Sequence, residues 1–330
     1  MVYYFPLQNY KKKMTFPSFF EKNFFFSAFF CNFARFFGKI SALEMQIIAT
    51  KQELLTQVEA CKNEKKTIGL VPTMGALHEG HASLVRRAVE ENDVCVVSVF
   101  VNPTQFNNKE DLLKYPRNLE RDATLLASIG ADYVFAPTPE EMYTQDEMQN
   151  TFRFDFAGLD EVMEGKMRPG HFNGVVQVVS RLFYLVQPDK AYFGEKDYQQ
   201  LRIIHHMVER SSLKDTFGPL QIVDCPIVRE ANGLARSSRN ERLSAEEKET
   251  AVGISRILFE SLEWAKEPEA SVQGVQQRVV DAINAIDGLE VEYYEIVDCT
   301  TLRPTNTFLN AIGCVTVYCG PVRLIDNIKY

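Results

Sequence analysis

The sequence lacks three features that would place it in other protein classes. No apolar run approaches the roughly 20 residues of a membrane-spanning helix. The seven cysteines are scattered, odd in number and free of C-x-x-C pairs, which favours reduced thiols over a disulfide framework or a zinc ribbon. Positive charge is scarce, and a net charge of −8 argues against nucleic acid as the main partner. Any anionic substrate must therefore be held by a local basic site.

The first 44 residues differ in composition from the rest of the 330-residue chain. They are crowded with Phe, Lys and Asn and show no clear apolar periodicity. Three interpretations stay open: an organellar presequence, a membrane-surface anchor, or upstream sequence read from an early start codon. We favour the third, because these residue types are supplied by A/T-only codons and Met45 opens the first well-patterned segment. We therefore predict that residues 1–44 are not part of the fold.

From Met45 onwards, the apolar pattern predicts an α/β fold. Buried runs such as "TIGLVPT", "VCVVSVFVNP" and "DYVFAP" alternate with amphipathic helical stretches such as "HASLVRRAVEEND" and "NLERDATLLASIGA". This alternation indicates βαβ units and a doubly wound parallel sheet over residues 45–227. After Pro226 the pattern changes to helices at about 244–267 and 271–286 and to strands of a small antiparallel sheet. We predict a smaller α+β domain over residues 228–330.

The segment "VPTMGALHEGH" lies where the first long strand gives way to a helix. In a doubly wound sheet, ligands bind at the carboxyl ends of strands, where the next helix presents free N–H groups to anions. We expect Pro72 to end the strand, and Gly75 and Gly80 to let the backbone approach a ligand closely. His78 and His81 flank the helix start, where an imidazole can donate a hydrogen bond to a phosphate oxygen.

Two other interpretations of this histidine pair stay open. A zinc site of the H-E-x-x-H type needs four-residue spacing on a helix, whereas "HEGH" has three-residue spacing and a glycine, so we predict no protein metal site. A helix-capping histidine beside a surface histidine would explain the pair without any ligand. His205 and His206 lie in a separate predicted helix and offer no obvious partner geometry.

Polar side chains also follow two other predicted strands. In "FVNPTQFN", Asn102 and Gln105 can bond hydroxyl, carboxylate or amide groups without adding charge, although an Asn-Pro pair is usually a polar turn. In "FGEKDYQQ", Lys196 could neutralise a phosphate, Asp197 could accept from a ribose hydroxyl, and Gln200 lies one turn into the next helix. Polar groups at three successive strand ends indicate one shared site.

The segment "GLARSSRNERLS" has the composition of an anion clamp. Ser237 and Ser238 can donate hydrogen bonds, and the planar guanidinium of Arg239 matches a phosphate. A helix-capping loop with solvated arginines would explain the serines, but not a basic cluster in an acidic chain.

Taken together, these segments resemble the pantothenate synthetase (pantoate–β-alanine ligase) family over roughly residues 45–330. The resemblance rests on "VPTMGALHEGH", "VVSVFVNPTQF", "RPGHFNGV", "QPDKAYFGEKDYQQL", "GLARSSRN" and "RLIDN", in that order. It implies a Rossmann-like nucleotidyltransferase fold, whose H-x-x-H is similar to the HIGH signature of class I aminoacyl-tRNA synthetases. The implied reaction joins ATP and (R)-pantoate into pantoyl adenylate and pyrophosphate. β-Alanine then attacks the acyl carbon, which releases pantothenate and AMP.

The resemblance also implies roles for particular residues. His81 matches the family's proton-donor histidine, and His78, Lys196 and Arg239 are expected to act with it on the phosphates. (R)-Pantoate is expected at Gln105 and Gln200, with Asn102 beside them and β-alanine also near Gln105. The implied ATP site comprises Met74, Gly75, Ala76, Leu77, His78, Glu79, Gly80, His81, Gly194, Glu195, Lys196, Asp197, Val228, Arg236, Ser237, Ser238 and Arg239.

The resemblance further implies Mg²⁺ carried with the ATP phosphates, a homodimer, a cytoplasmic location and a C-terminal domain that acts as a lid. Two features depart from the family. Arg236 stands where the family usually has Met or Leu beside the adenine, and the Phe-rich leader has no counterpart, so organellar targeting stays open. Two alternatives also stay open: a nucleotidyltransferase with another acceptor, and a catalytically silent nucleotide-binding protein. We expect no membrane or nucleic-acid partner, and the acidic chain disfavours a synthetase acting on tRNA.

Overall fold

A parallel sheet carries the loops that the sequence singled out. The computed structural model describes residues 45–149, 153–210, 216 and 218–330, so the predictions for residues 1–44 lie outside them. Within these ranges six strands pair in the order β1-β4-β3-β2-β5-β6, and every neighbouring pair is parallel. The strands are β1 (Gln46–Ile48), β2 (Ile68–Thr73), β3 (Val94–Val99), β4 (Tyr133–Phe135), β5 (Lys190–Gly194) and β6 (Gln221–Cys225).

The strand order places a crevice between β2 and β5. The chain passes from β2 to β3 and β4 on one side, and β5 then pairs with the other side of β2. The connections after β2 and β5 therefore leave in opposite directions, and ligands bind in doubly wound sheets at such a reversal. The predicted Rossmann-like doubly wound sheet is confirmed.

Helices cover both faces of the sheet in the described ranges. One apolar cluster packs α1 (Lys51–Asn63), α8 (His171–Val186) and α9 (Tyr198–Glu209) against one face. A second packs α2 (Glu79–Glu91) and α4 (Leu119–Ile129) against the opposite face. Short 3-10 turns carry Pro103–Gln105, Glu195–Asp197 and Ser238–Arg242. The helices are α1 (Lys51–Asn63), α2 (Glu79–Glu91), α3 (Lys109–Lys114), α4 (Leu119–Ile129), α5 (Pro139–Met142), α6 (Gln145–Gln149), α7 (Met163–Met167), α8 (His171–Val186), α9 (Tyr198–Glu209), α10 (Ala245–Trp264) and α11 (Val272–Asn284). Of the helices in the described residues, none has both the length and the apolar character to cross a membrane.

The chain after β6 builds the predicted α+β arrangement. Strands β7 (Leu289–Asp298), β8 (Ala311–Cys319) and β9 (Val322–Lys329) form an antiparallel sheet, and α10 and α11 pack on it around their own apolar cluster. The change of sheet follows β6, near the expected position. A division into independent domains at residues 227 and 228 stays a prediction.

Pro72 does not end β2, because the strand continues to Thr73. The carbonyl of Ile68 accepts from the N–H of Asp189, which precedes β5. Main-chain hydrogen-bonding groups alternate in direction along a strand, so those of every second residue of β2, including Pro72, point towards β5. Pairing between β2 and β5 extends only to Leu70. The missing N–H of Pro72 therefore interrupts no ladder hydrogen bond, and the two strands separate where the crevice begins.

A partly buried ion pair joins the C-terminal sheet to α7. Arg323 of β9 donates two hydrogen bonds to the carboxylate of Glu164, at 2.8 and 2.6 Å, and also pairs with Glu292 of β7. Burial opposes ionisation of Glu164, but the hydrogen bonds and charge of Arg323 outweigh it and lower its pKa to about 2. The pair is partly buried and geometrically specific, so loss of Glu164 leaves Arg323 with only one of the two carboxylates that face it here.

We expect Glu164→Gln to lower the free energy of unfolding by about 3 kcal/mol at pH 7, because it leaves the buried guanidinium short of negative charge. The folded-state pKa of Glu164 is depressed, so its stabilisation is present above the unfolded pKa near 4.5 and is lost as pH falls towards 2. Urea denaturation at several pH values measures both effects. Glu110→Gln, in the exposed pair with Lys114, is the control and should change little. A difference that persists unchanged well below pH 4 would contradict this account.

Candidate active site

The loop after β2 is held in shape by a buried carboxylate. Gly75 has a positive φ of 81°, and a Cβ at this position would lie 2.9 Å from Oδ2 of Asp122. Asp122, on α4, is 2% exposed and accepts hydrogen bonds from the N–H groups of Ala76 and Leu77 at 3.0 and 2.8 Å. The carboxylate thus replaces two backbone partners that the open turn lacks.

Two stacked imidazoles follow this loop at the start of α2. His78 is the N-cap residue, its ring lies 4.1 Å from that of His81, and the Gly80 N–H donates to its Nδ1 at 3.1 Å. The His78 N–H in turn lies 3.4 Å from Nδ1 of His81. Because a backbone N–H can only donate, both Nδ1 atoms accept, and each neutral ring carries its proton on Nε2. The pair therefore combines helix capping with two remaining N–H donors.

Both imidazoles are held neutral at physiological pH. Burial disfavours the charged form of His78 and, together with the nearby cations Lys196 and Arg236, lowers its pKa to about 4. Burial, His78 and Lys196 lower the pKa of His81 to about 3. One lysine thus acts on both rings, which places the β2 and β5 loops in the same electrostatic environment.

Lys196 lies in the 3-10 turn at the end of β5, and the last strand of the chain holds that turn. Asn327 of β9 donates from Nδ2 to the carbonyls of Glu195 and Lys196 at 2.8 and 3.0 Å. Lys329 pairs with the Glu195 carboxylate. The Lys196 side chain is 18% exposed, and its Nζ lies 3.9 Å from Oδ2 of Asp197.

The serine–arginine segment begins with a short hairpin. Arg229 bridges to Ala235, and the Arg236 N–H donates to the carbonyl of Val228 at 3.0 Å. Arg236 then approaches α2, since its Cβ lies 3.9 Å from the position of a Cβ built on Gly80. The hairpin thereby brings the segment to the histidine-bearing helix.

The turn that follows carries Ser237, Ser238 and Arg239. Ser237 caps it by accepting from the Arg239 N–H at 3.2 Å. Ser238 lies beside Tyr115, which precedes α4: burial raises the pKa of the tyrosine, and Ser238 acts in the opposite direction. The segment is therefore capped at Ser237 and packs near Tyr115 at Ser238.

A third loop presents Gln105. Asn102, 1% exposed, donates to Gln105 Oε1 at 3.0 Å and to the carbonyl of Gly174 at 3.0 Å. The Asn102 oxygen accepts from Thr104 and from Tyr143. Asn102 thus holds the side-chain oxygen of Gln105 in place. A direct contact between Asn102 and substrate stays a prediction.

The Gln105 side chain is oriented with its donor group outward from this support. Its Nε2 lies 3.1 Å from the sulfur of Met74, which is a weak acceptor. The main-chain carbonyl of Gln105 accepts from Nδ1 of His171 at 2.8 Å, and Arg168 lies 3.3 Å from Nε2 of the same ring. Burial, followed by the charge of Arg168, lowers the pKa of His171 to about 4, so this ring is also neutral.

One cavity unites residues from separate segments. Lys196, Asp197, Gln200 and Arg239 line it together, although they come from the β5 turn, α9 and the serine–arginine segment. His205 and His206, which were not predicted as site residues, have other partners: His205 pairs with Asp224 at 2.6 Å, and His206 lies 3.2 Å from the carbonyl of Asp155. The Glu79 carboxylate pairs with Arg86 on the surface of α2.

Sequence reasoning missed several supporting residues. His171, Gly174, Asp326 and Asn327 stand inside the quoted motifs "RPGHFNGV" and "RLIDN", so their motifs marked them but their roles did not follow. Asp122 had no signal, since an acid in the first turn of a helix is ordinary.

Lys196→Met should raise the pKa of both His78 and His81 towards 6.5, because it removes a positive charge that disfavours each imidazolium. The measurement is a histidine NMR titration of the ligand-free protein, with His78→Asn and His81→Asn used to assign the signals. Lys114→Met, on the exposed α3, is the matched control and should leave both titrations unchanged. If the pKa values of His78 and His81 are unchanged in Lys196→Met, the Lys196 ammonium does not lie near the rings.

Comparison with known proteins agrees with this geometry. The family model "Pantoate-beta-alanine ligase" matches residues 46–329. A pantothenate synthetase from Phocaeicola vulgatus is 57% identical over 289 residues, which cover 87% of this chain and 99% of that protein. One from Bacteroides thetaiotaomicron is 56% identical with the same coverage.

Solved structures give the same result. The crystal structure of pantothenate synthetase from Thermus thermophilus superposes with a TM-score of 0.78 at 42% identity, covering 86% of this chain and 99% of that chain. A pantoate–β-alanine ligase from Francisella tularensis, complexed with β-γ ATP and β-alanine, has a TM-score of 0.70 at 34% identity and covers 86% and 97%. The fold agrees with these structures, and the family match covers nearly all of residues 45–330. The chain therefore belongs to the pantoate–β-alanine ligase family.

Proposed function

We propose that this protein condenses (R)-pantoate with β-alanine in two ATP-dependent steps, and that the crevice between β2 and β5 is where they occur. The observation that carries the proposal is the cavity shared by Lys196, Asp197, Gln200 and Arg239. Two neutral imidazoles, His78 and His81, do not line it but lie near enough to Lys196 for its charge to lower the pKa of both. Such a set suits a polyanion together with a second ligand that binds through hydroxyl groups, and ATP and pantoate have these properties.

In the first step the pantoate carboxylate attacks the α-phosphorus of ATP, and pyrophosphate leaves. Negative charge grows on the leaving phosphates, where Lys196 and Arg239 supply positive charge. The Nε2–H donors of His78 and His81 stabilise the α-phosphate oxygens, and His81, at the position of the family's proton-donor histidine, acts here by donating a hydrogen bond. A neutral imidazole suits this task, because it donates that bond without adding another cation to the ligand-free site.

In the second step the amine of β-alanine attacks the acyl carbon, loses a proton and displaces AMP. No new phosphate charge develops on pyrophosphate in this step, so it depends less on Lys196 and Arg239 than the first does. The adenylate is prone to hydrolysis, and the serine–arginine segment with the 228–330 region acts as the cover that excludes water.

Gln105 and Gln200 hold pantoate. Asn102 fixes the Gln105 oxygen, so the amide presents its Nε2–H donors, and a ligand oxygen is a better acceptor than the sulfur of Met74. Neutral amides bind hydroxyls and leave the carboxylate reactive, whereas a cation there would hold the nucleophile back. β-Alanine binds next to Gln105.

The remaining ATP contacts come from the backbone and from Arg236. The loop from Met74 to Gly80 and residues Gly194 to Asp197 approach the phosphates and ribose, and Val228 lies beside the base. Among the described residues, the Nε of Arg236 is buried and has no hydrogen-bond partner. A nucleotide oxygen supplies that partner, and stacking of the guanidinium on the adenine is the alternative contact through which arginine serves at this position.

Three further parts of the proposal follow the family resemblance. Mg²⁺ enters as part of the ATP substrate, bound to its phosphates, and the described residues hold no group of three or more His, Cys, Asp or Glu able to bind a metal ion. The protein works as a homodimer in the cytoplasm. Light scattering during gel filtration and fractionation of the native host test the last two statements.

The purified full chain should form AMP and pyrophosphate in equal amounts when ATP, pantoate, β-alanine and Mg²⁺ are all present. It should also exchange labelled pyrophosphate into ATP with pantoate alone, because the first step is reversible. Lys196→Ala is the inactive control. ADP as the product, or exchange supported by another acid but not by pantoate, would refute the proposal.

Gly174→Ala tests the placement of Gln105. A Cβ on Gly174 would lie 2.5 Å from the carbonyl carbon of Thr104 and 2.6 Å from the N of Gln105, so the turn must shift. We expect the KM for pantoate to rise by about tenfold or more, since small displacements of binding groups are costly, while the KM for ATP stays within about twofold. Val179→Ala, in the buried face of the same helix, is the control for lost stability. Equal rises in both KM values would show that the change is not local to Gln105.

A further inference from the structure

The final strand, β9, contacts both of the turns that carry the predicted phosphate-binding cations. Asn327 is 4% exposed and its amide bonds the carbonyls of Glu195 and Lys196. Both hydrogen bonds hold main-chain atoms, so they fix the path of the turn and leave the Lys196 ammonium free to meet a ligand. The turn has no side-chain cap of its own at Gly194, so these two bonds, with the Lys329–Glu195 ion pair, restrain it from β9.

The neighbouring residue holds the hairpin that leads into the other turn. Asp326, 5% exposed, forms a two-pronged ion pair with Arg229, with N–O distances of 2.6 and 2.9 Å. The Arg229 side chain also donates to the carbonyl of Gly233, and its main chain forms an antiparallel β-bridge with Ala235. The ion pair therefore sets the hairpin that leads directly into Arg236, Ser237 and Arg239.

A single strand can serve two loops because successive side chains leave it in opposite directions. Asp326 and Asn327 also border the cavity that holds Lys196 and Arg239. A shift of β9 would therefore move Lys196 and Arg239 together. Loss of the Asp326 or the Asn327 side chain would instead let one of these cations move relative to the other. Simple packing does not require this arrangement, because an apolar pair would fill the same volume without bonding either turn.

We propose that Asp326 and Asn327 are positioning residues that hold the Lys196 turn and the Arg239 turn at the spacing that ATP requires. Asn327 acts through the Lys196 main chain, and Asp326 acts through Arg229 and the hairpin. This inference rests on the proposed function for the identity of the ligand. It assigns to the terminal "RLIDN" segment a role in phosphate binding that involves no contact with the phosphates.

The test compares Asn327→Ala with Asn92→Ala. Asn92 is also a buried asparagine that donates to a backbone carbonyl, that of Ala88 at 2.8 Å, but it precedes β3 at the opposite end of the sheet. We expect Asn327→Ala to weaken ATP binding, measured by calorimetry without turnover, by about tenfold and to slow pantoate-dependent pyrophosphate exchange similarly. Asn92→Ala should lower the melting temperature and change neither quantity by more than about twofold.

A double variant distinguishes positioning from direct binding. If Asn327 acts through Lys196, then Lys196→Ala with Asn327→Ala should bind ATP as weakly as Lys196→Ala alone, because nothing remains to be positioned. Arg229→Lys keeps the charge beside Asp326 but loses the two-pronged geometry, so it should weaken ATP binding in the same direction and serves if Asn327→Ala does not fold.

Two results would overturn the inference: full ATP affinity in both Asn327→Ala and Arg229→Lys, or additive losses in the double variant. Failure of the proposed function is seen separately. It would appear as wild-type protein that binds ATP but supports no pantoate-dependent exchange, and the calorimetric comparison of variants would still decide the role of Asn327.

Discussion

The site depends on one topological constraint, the divergence of the connections that leave β2 and β5. In a parallel sheet each strand end is normally covered by the helix that follows it, and only a reversal of strand order leaves a gap. Here the pairing of β2 with β5 stops at Leu70, so the gap extends into the sheet itself. Pro72 is compatible with this early separation because its missing N–H faces the unpaired side.

In the ligand-free protein, positively charged side chains lie close together at this gap. Lys196 and Arg236 lie close enough to His78 to disfavour its protonation, and burial acts in the same direction. The imidazoles stay neutral as a result, and the ring nitrogens that face the backbone act as acceptors. Burial is the larger cause of this neutrality and the electrostatic environment adds to it, because a protonated ring would be repelled by Lys196 and, at His78, by Arg236.

The sequence predicted the elements whose pattern is local. Alternating buried runs and amphipathic helices were sufficient for the parallel sheet, and the change after Pro226 was sufficient for the antiparallel one. β1 was missed because two of its three residues are exposed, so it shows no buried run, whereas the equally short β4 does. Pro72 was taken as a strand end because its effect depends on which neighbour its nitrogen faces, and register is a property of the pair of strands.

The site divides in the same way. Residues at strand ends, such as His78, Lys196 and Gln105, could be named because topology assigns all strand ends to one edge. Asp122 could not, since its partners are backbone groups 45 and 46 positions earlier in the chain. Asp326 and Asn327 were visible only as part of a motif, because their contacts join the last strand to turns about a hundred residues or more away.

The separation between binding and support follows from these contacts. Groups suited to meet the ligand are those with free donors or charge, such as the Nε2–H of the histidines and the Lys196 ammonium. Groups that hold them are saturated inside the protein: the Asp122 carboxylate by two N–H groups, the Asn327 amide by two carbonyls, the Asp326 carboxylate by a guanidinium. Saturation keeps the supporting groups from competing for the ligand, and burial prevents water from replacing their partners. A polyanion entering the gap therefore relieves repulsion among the cations without disturbing the groups that position them.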